Sequence, residues 1–304
     1  MILDNLSEKD LKSCPKWLPN NCHYLTIIGS HAYGVNTKDS DFDVYGFCIP
    51  PKNIIFPHLD GEIDGFGRQK KKFEQWQIAH LLVKEKEYDF SVYNIIKYFN
   101  LCMENNPNII DSLYTPHNLV LFSTIIGDTV RENRDLFLHK GVYHKLKGYA
   151  YSQLHLMKTK NPQKDSKRYE NIQEHGYDTK YAYHVIRLID ECEQILETHT
   201  LDLQRNNEQL KAIRKGEVSE EEIRRIFAEK EKYLMKLYET STLRYSPDED
   251  AIKSLLLKCL EDHYGSLDEC VTINKEKEKI QKAISSLKEA SDILEQLEKY
   301  SFVE

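Results

Sequence analysis

Several things are missing from this chain of 304 residues, and each absence closes off a class of protein. No apolar run approaches the roughly 18 residues a membrane-spanning helix needs, so partnership with a membrane is not expected. The opening Met-Ile-Leu-Asp-Asn-Leu-Ser-Glu-Lys-Asp has neither the basic nor the apolar region of a signal peptide, which leads us to expect a cytoplasmic protein. Paired cysteines are absent too. The seven cysteines (14, 22, 48, 102, 192, 259 and 270) are odd in number, scattered, and never spaced Cys-x-x-Cys. Cys22-His23 has no second pair at zinc spacing, so neither a disulfide framework nor a structural zinc is expected. There is no internal repeat, and no excess of positive charge. With 42 Lys and Arg against 49 Asp and Glu the net charge is −7, which argues against a general polyanion clamp while leaving room for local basic patches.

What is present begins at Gly29-Ser30-His31-Ala32-Tyr33-Gly34. The residues before it, Tyr24-Leu25-Thr26-Ile27-Ile28, are mostly strand formers that stop at a glycine. Asp41-Phe42-Asp43-Val44 follows seven residues later, and on a strand its two carboxylates leave one face while Phe42 and Val44 leave the other. Two aspartates side by side repel unless a cation lies between them, and an oxygen-preferring divalent ion such as Mg²⁺ is the natural occupant. A Gly-Ser at a strand end offers close backbone approach, free N–H groups and a hydroxyl to a phosphate. Together these features predict a metal-dependent site for a nucleoside triphosphate.

Further along, Pro50-Pro51 ends the second strand and residues 52–68 read as loop. A basic run, Arg68-Gln69-Lys70-Lys71-Lys72, leads into an alternating strand over 73–78. Residues 83–90 read as another strand, on which Tyr88 and Phe90 face the core and Asp89 faces the opposite way, where it can join Asp41 and Asp43 as a third acid. Ser91 is a plausible N-cap for a helix over 92–103, and Asn106-Pro107 opens a short one. Residues 120–157 read as two helices parted near His139-Lys140-Gly141, and 158–171 as a charged connection. A short helix is also expected near Ser7–Ser13.

The second informative stretch is Gly176-Tyr177-Asp178-Thr179-Lys180 and the helix it opens, capped by Asp178 or Thr179. Ala182, Val185, Ile186 and Ile189 form its apolar face, and Lys180, His184 and Arg187 fall together on another. No acid alternates with them before Glu191, which suits a triphosphate or a polynucleotide backbone. The remainder is helix-rich. Ser219-Glu220-Glu221-Glu222 is a capping box, Ser246-Pro247-Asp248 marks another start, and a short heptad pattern from Ile280 to Leu297 is expected to pack on its own domain.

Gly29-Ser30, Asp41-Phe42-Asp43 and a later acid resemble the DNA polymerase beta superfamily of nucleotidyltransferases. Ser40-Asp41-Phe42-Asp43, Asn106-Pro107 and Gly176-Tyr177-Asp178-Thr179-Lys180 with His184 and Arg187-Leu188 are similar to its RNA-ligase-associated branch, whose members come largely from bacteria and their phages. The resemblance covers roughly residues 20–215. It implies an α+β protein: a small mixed-sheet nucleotidyltransferase domain over residues 1–115, then an all-helical domain over 116–304 that contributes to nucleotide or acceptor binding. It further implies that Asp41, Asp43 and Asp89 are catalytic and bind two Mg²⁺ (or Mn²⁺) ions. Gly29 and Ser30 would hold the β- and γ-phosphates, and Lys180, His184 and Arg187 would bind the nucleotide. The implied reaction transfers a nucleoside monophosphate from an NTP to a hydroxyl, with release of pyrophosphate. RNA is the first choice of acceptor, and the basic segments at 68–72 and 158–168 permit it. The alternatives are a non-catalytic nucleotide- or RNA-binding regulator on the same fold, and a transferase acting on a small molecule or a protein.

Overall fold

Tyr24, Leu25 and Ile27 give the first strand, β1 (Cys22–Ile27), and all six of its residues are buried. It runs antiparallel to β2 (Phe42–Cys48), with Ile27 opposite Val44 and Leu25 opposite Gly46. Gly46 is there for room: a Cβ on it would lie 1.8 Å from the Tyr24 carbonyl oxygen. The computed structural model describes residues 3, 14–38, 40–63, 65–68, 72–83, 85–159, 162, 164, 166–271 and a few positions between 279 and 291. The expected helix near Ser7–Ser13, the middle of the basic run (69–71) and the heptad positions Leu294 and Leu297 lie outside the described residues, as does part of the charged connection at 158–168.

After β2 come a single turn, α1 (Lys52–Ile55), and the hairpin of β3 (Gln75–Val83) and β4 (Lys86–Asn94). β4 pairs with β2 in parallel, and this places Asp43 opposite Asp89 and Phe42 opposite Tyr88. β3 starts two residues later than the strand expected over 73–78 and runs on to Val83, and β4 covers 86–94 rather than 83–90. β4 runs on through Val92 and Tyr93, whose branched and aromatic side chains favour the pleat. The helix that follows, α2 (Ile95–Met103), is capped not by Ser91 but by the side chain of Asn94, which accepts from Ile96 N–H at 3.0 Å. α3 (Pro107–Tyr114) starts with proline at its first position, as expected.

Residues 120–157 do not begin as a helix. Val120–Ser123 is β5, paired antiparallel with β1, so the sheet continues past residue 115. The strand order is β3-β4-β2-β1-β5, mixed because β2 and β4 are parallel and the other neighbours antiparallel. The fold is therefore α+β, a small mixed sheet followed by helices. These are α4 (Ile125–Glu132), α5 (Gly141–Thr159), α6 (Lys167–His175), α7 (Thr179–Thr198), α8 (Asn207–Arg214), α9 (Glu220–Thr240), α10 (Glu249–Tyr264) and a last turn, α11 (Asp268–Val271). The expected caps are in place: Ser219 accepts from Glu222 N–H at 3.2 Å, and Asp248 from Ala251 N–H at 3.2 Å.

Residues 1–51 with 72–263 form one unit. Its sheet core is built from Leu25, Val44, Trp76, Phe90 and Val92, and α7 buries Ala182, Val185, Ile186 and Ile189 along one face. Residues 52–71 with 264–304 form a second unit, in which His58 meets the Cys270 carbonyl oxygen at 2.9 Å and Phe56 packs edge-on against Tyr264. Within it Ile280 and Leu287 are exposed, against the expectation that their heptad face is covered. No helix is long and apolar enough to cross a membrane among the described residues.

Candidate active site

The turn that follows β1 is tied back on itself. Tyr33 N–H donates to Gly29 O (3.2 Å), Gly34 N–H to His31 O (3.1 Å) and Val35 N–H to Ser30 O (2.9 Å), while Ile28 N–H donates to Asp43 O (2.8 Å). Gly29 has φ +67°, and a Cβ on it would fall 2.3 Å from Asp43 Oδ2. Glycine is required here on two counts, the left-handed backbone and the space a carboxylate already fills.

Asp41, just ahead of β2, joins Asp43 and Asp89: one carboxylate oxygen from each lies within 4.8 Å of the others. The period-two pattern thus delivers its two acids to one face, and the parallel register brings the third. Their crowding leaves a signature. Burial, reinforced by the charges of Asp41 and Asp89, pushes the Asp43 carboxyl up to about 6, with Lys180 working against the rise. A set of carboxylate oxygens with no sulfur is what a hard divalent cation such as Mg²⁺ prefers, so the residues fit the ion the fold family implies.

Asp89 is held by a feature no sequence pattern announced. The β3–β4 register shifts between Ile78 and Leu81, a β-bulge that leaves His80 at φ +57°. The bulge turns His80 N–H onto Asp89 Oδ1 at 2.7 Å, and the His80 ring bonds Glu87. The Glu87 carboxylate raises the basicity of that exposed imidazole.

A cavity of about 190 Å³ opens beside the acids. The sheet and turn contribute Gly29, Ser30, Asp41 and Asp43 to its walls. The helices contribute Lys180, His184 and Arg187, the three residues expected on one face of α7. The motif around them is largely a device for starting that helix. Asp178 Oδ1 accepts from Lys180 and Tyr181 N–H at 3.0 and 3.2 Å, its other oxygen pairs with Arg168, and Thr179 bonds Asn171.

The three differ in character more than their spacing suggests. Lys180 is exposed and makes no ion pair among the described residues. Burial, then the charges of Arg187, Lys180, Arg214 and Arg168, hold His184 well below the usual histidine range, so it is a neutral imidazole at pH 7 rather than a cation. Arg187 is 3% exposed, and its Nη1 donates to Asp111 Oδ2 and to Glu191 Oε1, both at 2.7 Å. The face was expected to be free of neutralising acid until Glu191. Glu191 lies one turn on and Asp111 comes from α3, and both meet the guanidinium.

Arg214 is the cation the sequence reading missed. It lines the same cavity, donates to Val35 O at 2.9 Å, and lies 5.4 Å over the Tyr183 ring. Nothing in the polar stretch around it, an ordinary amphipathic helix end, singled it out. A second cavity, about 500 Å³, shares Asp41 with the first and lies between the turn residues His31 and Lys38 and the hairpin residues Lys86 and Glu87. Its floor includes Phe42, stacked on His31 at 4.4 Å and on Tyr88 at 5.0 Å.

Known proteins place the chain. A stretch of 119 residues is 24% identical to an uncharacterized 38.9 kDa protein of the nrdC-mobD intergenic region of Enterobacteria phage T4. The match covers 37% of this chain and about a third (32%) of that relative's length. Among solved structures, a nucleotidyltransferase-like protein from Exiguobacterium sibiricum 255-15 aligns over 77% of this chain and 74% of its own, at 10% identity and a TM-score of 0.28. Residues 5–257 match the RNA repair pathway DNA polymerase beta family, RlaP, and the chain belongs to that family.

Proposed function

We propose that the protein is an enzyme that transfers a nucleoside monophosphate from a nucleoside triphosphate to a hydroxyl at the end of an RNA, releasing pyrophosphate. The observation that carries this reading is the convergence of Asp41, Asp43 and Asp89 within 4.8 Å of one another, with Asp41 and Asp43 lining a cavity that Lys180 and Arg214 also line. Acids and cations on the walls of one cavity match the needs of a triphosphate whose α-phosphorus reacts while its β- and γ-phosphates are held.

Asp41, Asp43 and Asp89 would hold Mg²⁺ or Mn²⁺, which when bound would supply charge neutralisation at the reacting phosphorus and a lowered pKa of the acceptor hydroxyl. The rest falls to the chain. The Gly29–Ser30 turn offers N–H groups and a hydroxyl to the β- and γ-phosphates, and Lys180 and Arg214 meet their charge. His184, being neutral, serves as a hydrogen-bond partner rather than a counter-ion. Asp89, oriented by His80 N–H, accepts the hydroxyl proton as the acceptor oxygen bonds the α-phosphorus and the bond to pyrophosphate breaks.

An in-line displacement brings the acceptor from the side opposite the leaving group. The second cavity, on the other side of Asp41, is the room available for it. The family's description, RNA repair, favours RNA over a protein or metabolite hydroxyl.

The test is a screen with α-labelled ATP, CTP, GTP and UTP and Mg²⁺ or Mn²⁺, offered RNA, protein and metabolite pools. Label is expected in RNA, and its transfer is expected to vanish in folded Asp41→Asn and Asp43→Asn variants. Transfer that survives both substitutions overturns the metal-site assignment, label in protein or metabolites overturns the acceptor, and binding without transfer points to a regulator.

A further inference from the structure

Arg187 sits on the cavity wall, yet the hydrogen bonds of its Nη1 go to carboxylates of the chain itself. Nη1 is shared by Asp111 Oδ2 and Glu191 Oε1, and the guanidinium stacks 4.4 Å over the ring of Tyr33. Tyr33 closes the circuit, its hydroxyl donating to the same Asp111 Oδ2 at 2.6 Å. All four side chains are buried, Asp111 to 1% exposure. Two carboxylates share one guanidinium, and burial drives both carboxyls above their ordinary range. Asp111, taking a donor from each side, is the better stabilised as the anion.

What the circuit connects matters more than what it contains. Tyr33 is part of the turn that begins at Gly29-Ser30, Asp111 lies on α3, and Arg187 and Glu191 are one helical turn apart on α7. The same turn is gripped twice more, by Gln204 Nε2 from the connection between α7 and α8 on Ala32 O at 3.1 Å, and by Arg214 of α8 on Val35 O. Ala32, Tyr33 and Val35 of the turn are themselves buried, and these ties add to that packing in fixing its shape.

We infer that Arg187 and Asp111 are positioning residues: acting through Tyr33, they hold the Gly29–Val35 turn in the shape that presents Ser30 to the triphosphate, and Arg187 is not itself a phosphate ligand. The inference rests on reading the cavity as a triphosphate site, and two measurements separate its failure from the failure of that reading.

The first is a double-mutant cycle on Tyr33→Phe and Arg187→Lys, with inorganic tripolyphosphate and Mg²⁺ as the probe. Each variant is expected to bind it about five- to tenfold more weakly, and the double variant no more weakly than the worse single one, because both cut the same path. Losses that multiply, or full affinity in Tyr33→Phe, overturn the inference. The second needs no ligand. In Tyr33→Phe the amides of Tyr33, Gly34 and Val35 are expected to exchange hydrogen about tenfold faster, with the interior of α7 unchanged. Exchange unaltered at the turn, or raised throughout, overturns the holding role. Should the wild type not bind tripolyphosphate while the exchange result stands, the triphosphate reading falls and the tie between Arg187 and the turn survives.

Discussion

The carboxylate of Asp43 fills the space that a side chain at residue 29 would need: a Cβ on Gly29 falls 2.3 Å from Asp43 Oδ2. The turn at Gly29 and the acid cluster are thus fitted to each other through a missing methyl group.

Gly29→Ala is therefore expected to damage the site rather than only the turn. The left-handed φ of +67° costs an alanine about 1 kcal/mol, and the clash pushes Asp43 away from Asp41 and Asp89. The wild type is expected to melt higher with Mg²⁺, and the variant to lose that rise together with nearly all transfer. Thermal melts with and without metal decide it. A full metal-dependent rise would show that the carboxylates have kept their places.

The crowding of the three acids carries a cost that can be read in pH. Asp43 ionises at about 6 in the folded protein against 3.8 ordinarily, so between those values the folded state binds more protons than the unfolded one. Stability of the metal-free protein then falls as pH rises from about 4 to about 6, by roughly 3 kcal/mol for a shift of this size, and stays reduced above. The proton belongs to the cluster as much as to Asp43. Asp43→Asn removes the repulsion, and is expected to melt higher than the wild type at pH 7.5 without metal, with the gap closing near pH 4. Equal melting at pH 7.5 would mean the cluster is not strained when empty of metal.

How much of this the sequence disclosed follows from the range of each interaction. Asp41 and Asp43 were legible because alternation on a strand is local, and Asp89 because Tyr88 and Phe90 fix which way it faces. The apolar face of α7 was legible for the same reason at helical period. Arg187 looked like a free cation because its partner Asp111 lies 76 residues away, a distance at which no spacing rule operates. β5 is four residues long, too short for a pattern. The helix start was placed at Ser91 because a hydroxyl caps well in general, whereas Val92 and Tyr93 extend the strand to Asn94, an equally good cap. The bulge at His80 leaves no local mark at all, since it arises from the register of two strands.

That bulge supplies the third prediction. What Asp89 receives from residue 80 is a backbone N–H delivered by a positive φ, so the side chain should be dispensable and the peptide should not. His80→Gly keeps both the donor and the backbone conformation, and is expected to retain transfer within about threefold of wild type. His80→Pro has no N–H and a φ fixed near −65°, and is expected to lower kcat by about tenfold or more. β3 is an edge strand, so the proline should not prevent folding, which circular dichroism can verify. If the glycine variant is as impaired as the proline one, the imidazole and its contact with Glu87 matter in their own right.

Lys180 offers the sharpest measure of where the triphosphate lies. It lines the cavity, has no carboxylate partner among the described residues, and projects from the first turn of α7, where Asp178 caps the helix. An ammonium so placed contributes mainly charge, which a ligand feels in proportion to the phosphates it carries. Lys180→Ala is expected to weaken binding of the preferred NTP by about tenfold and of the corresponding monophosphate by less than about twofold, with kcat changed less than KM. The salt dependence of NTP binding should flatten along with the affinity, since one screened contact has gone. A variant that loses monophosphate and triphosphate equally would place Lys180 at the α-phosphate or the acceptor, and the β- and γ-phosphates would then belong nearer Arg214.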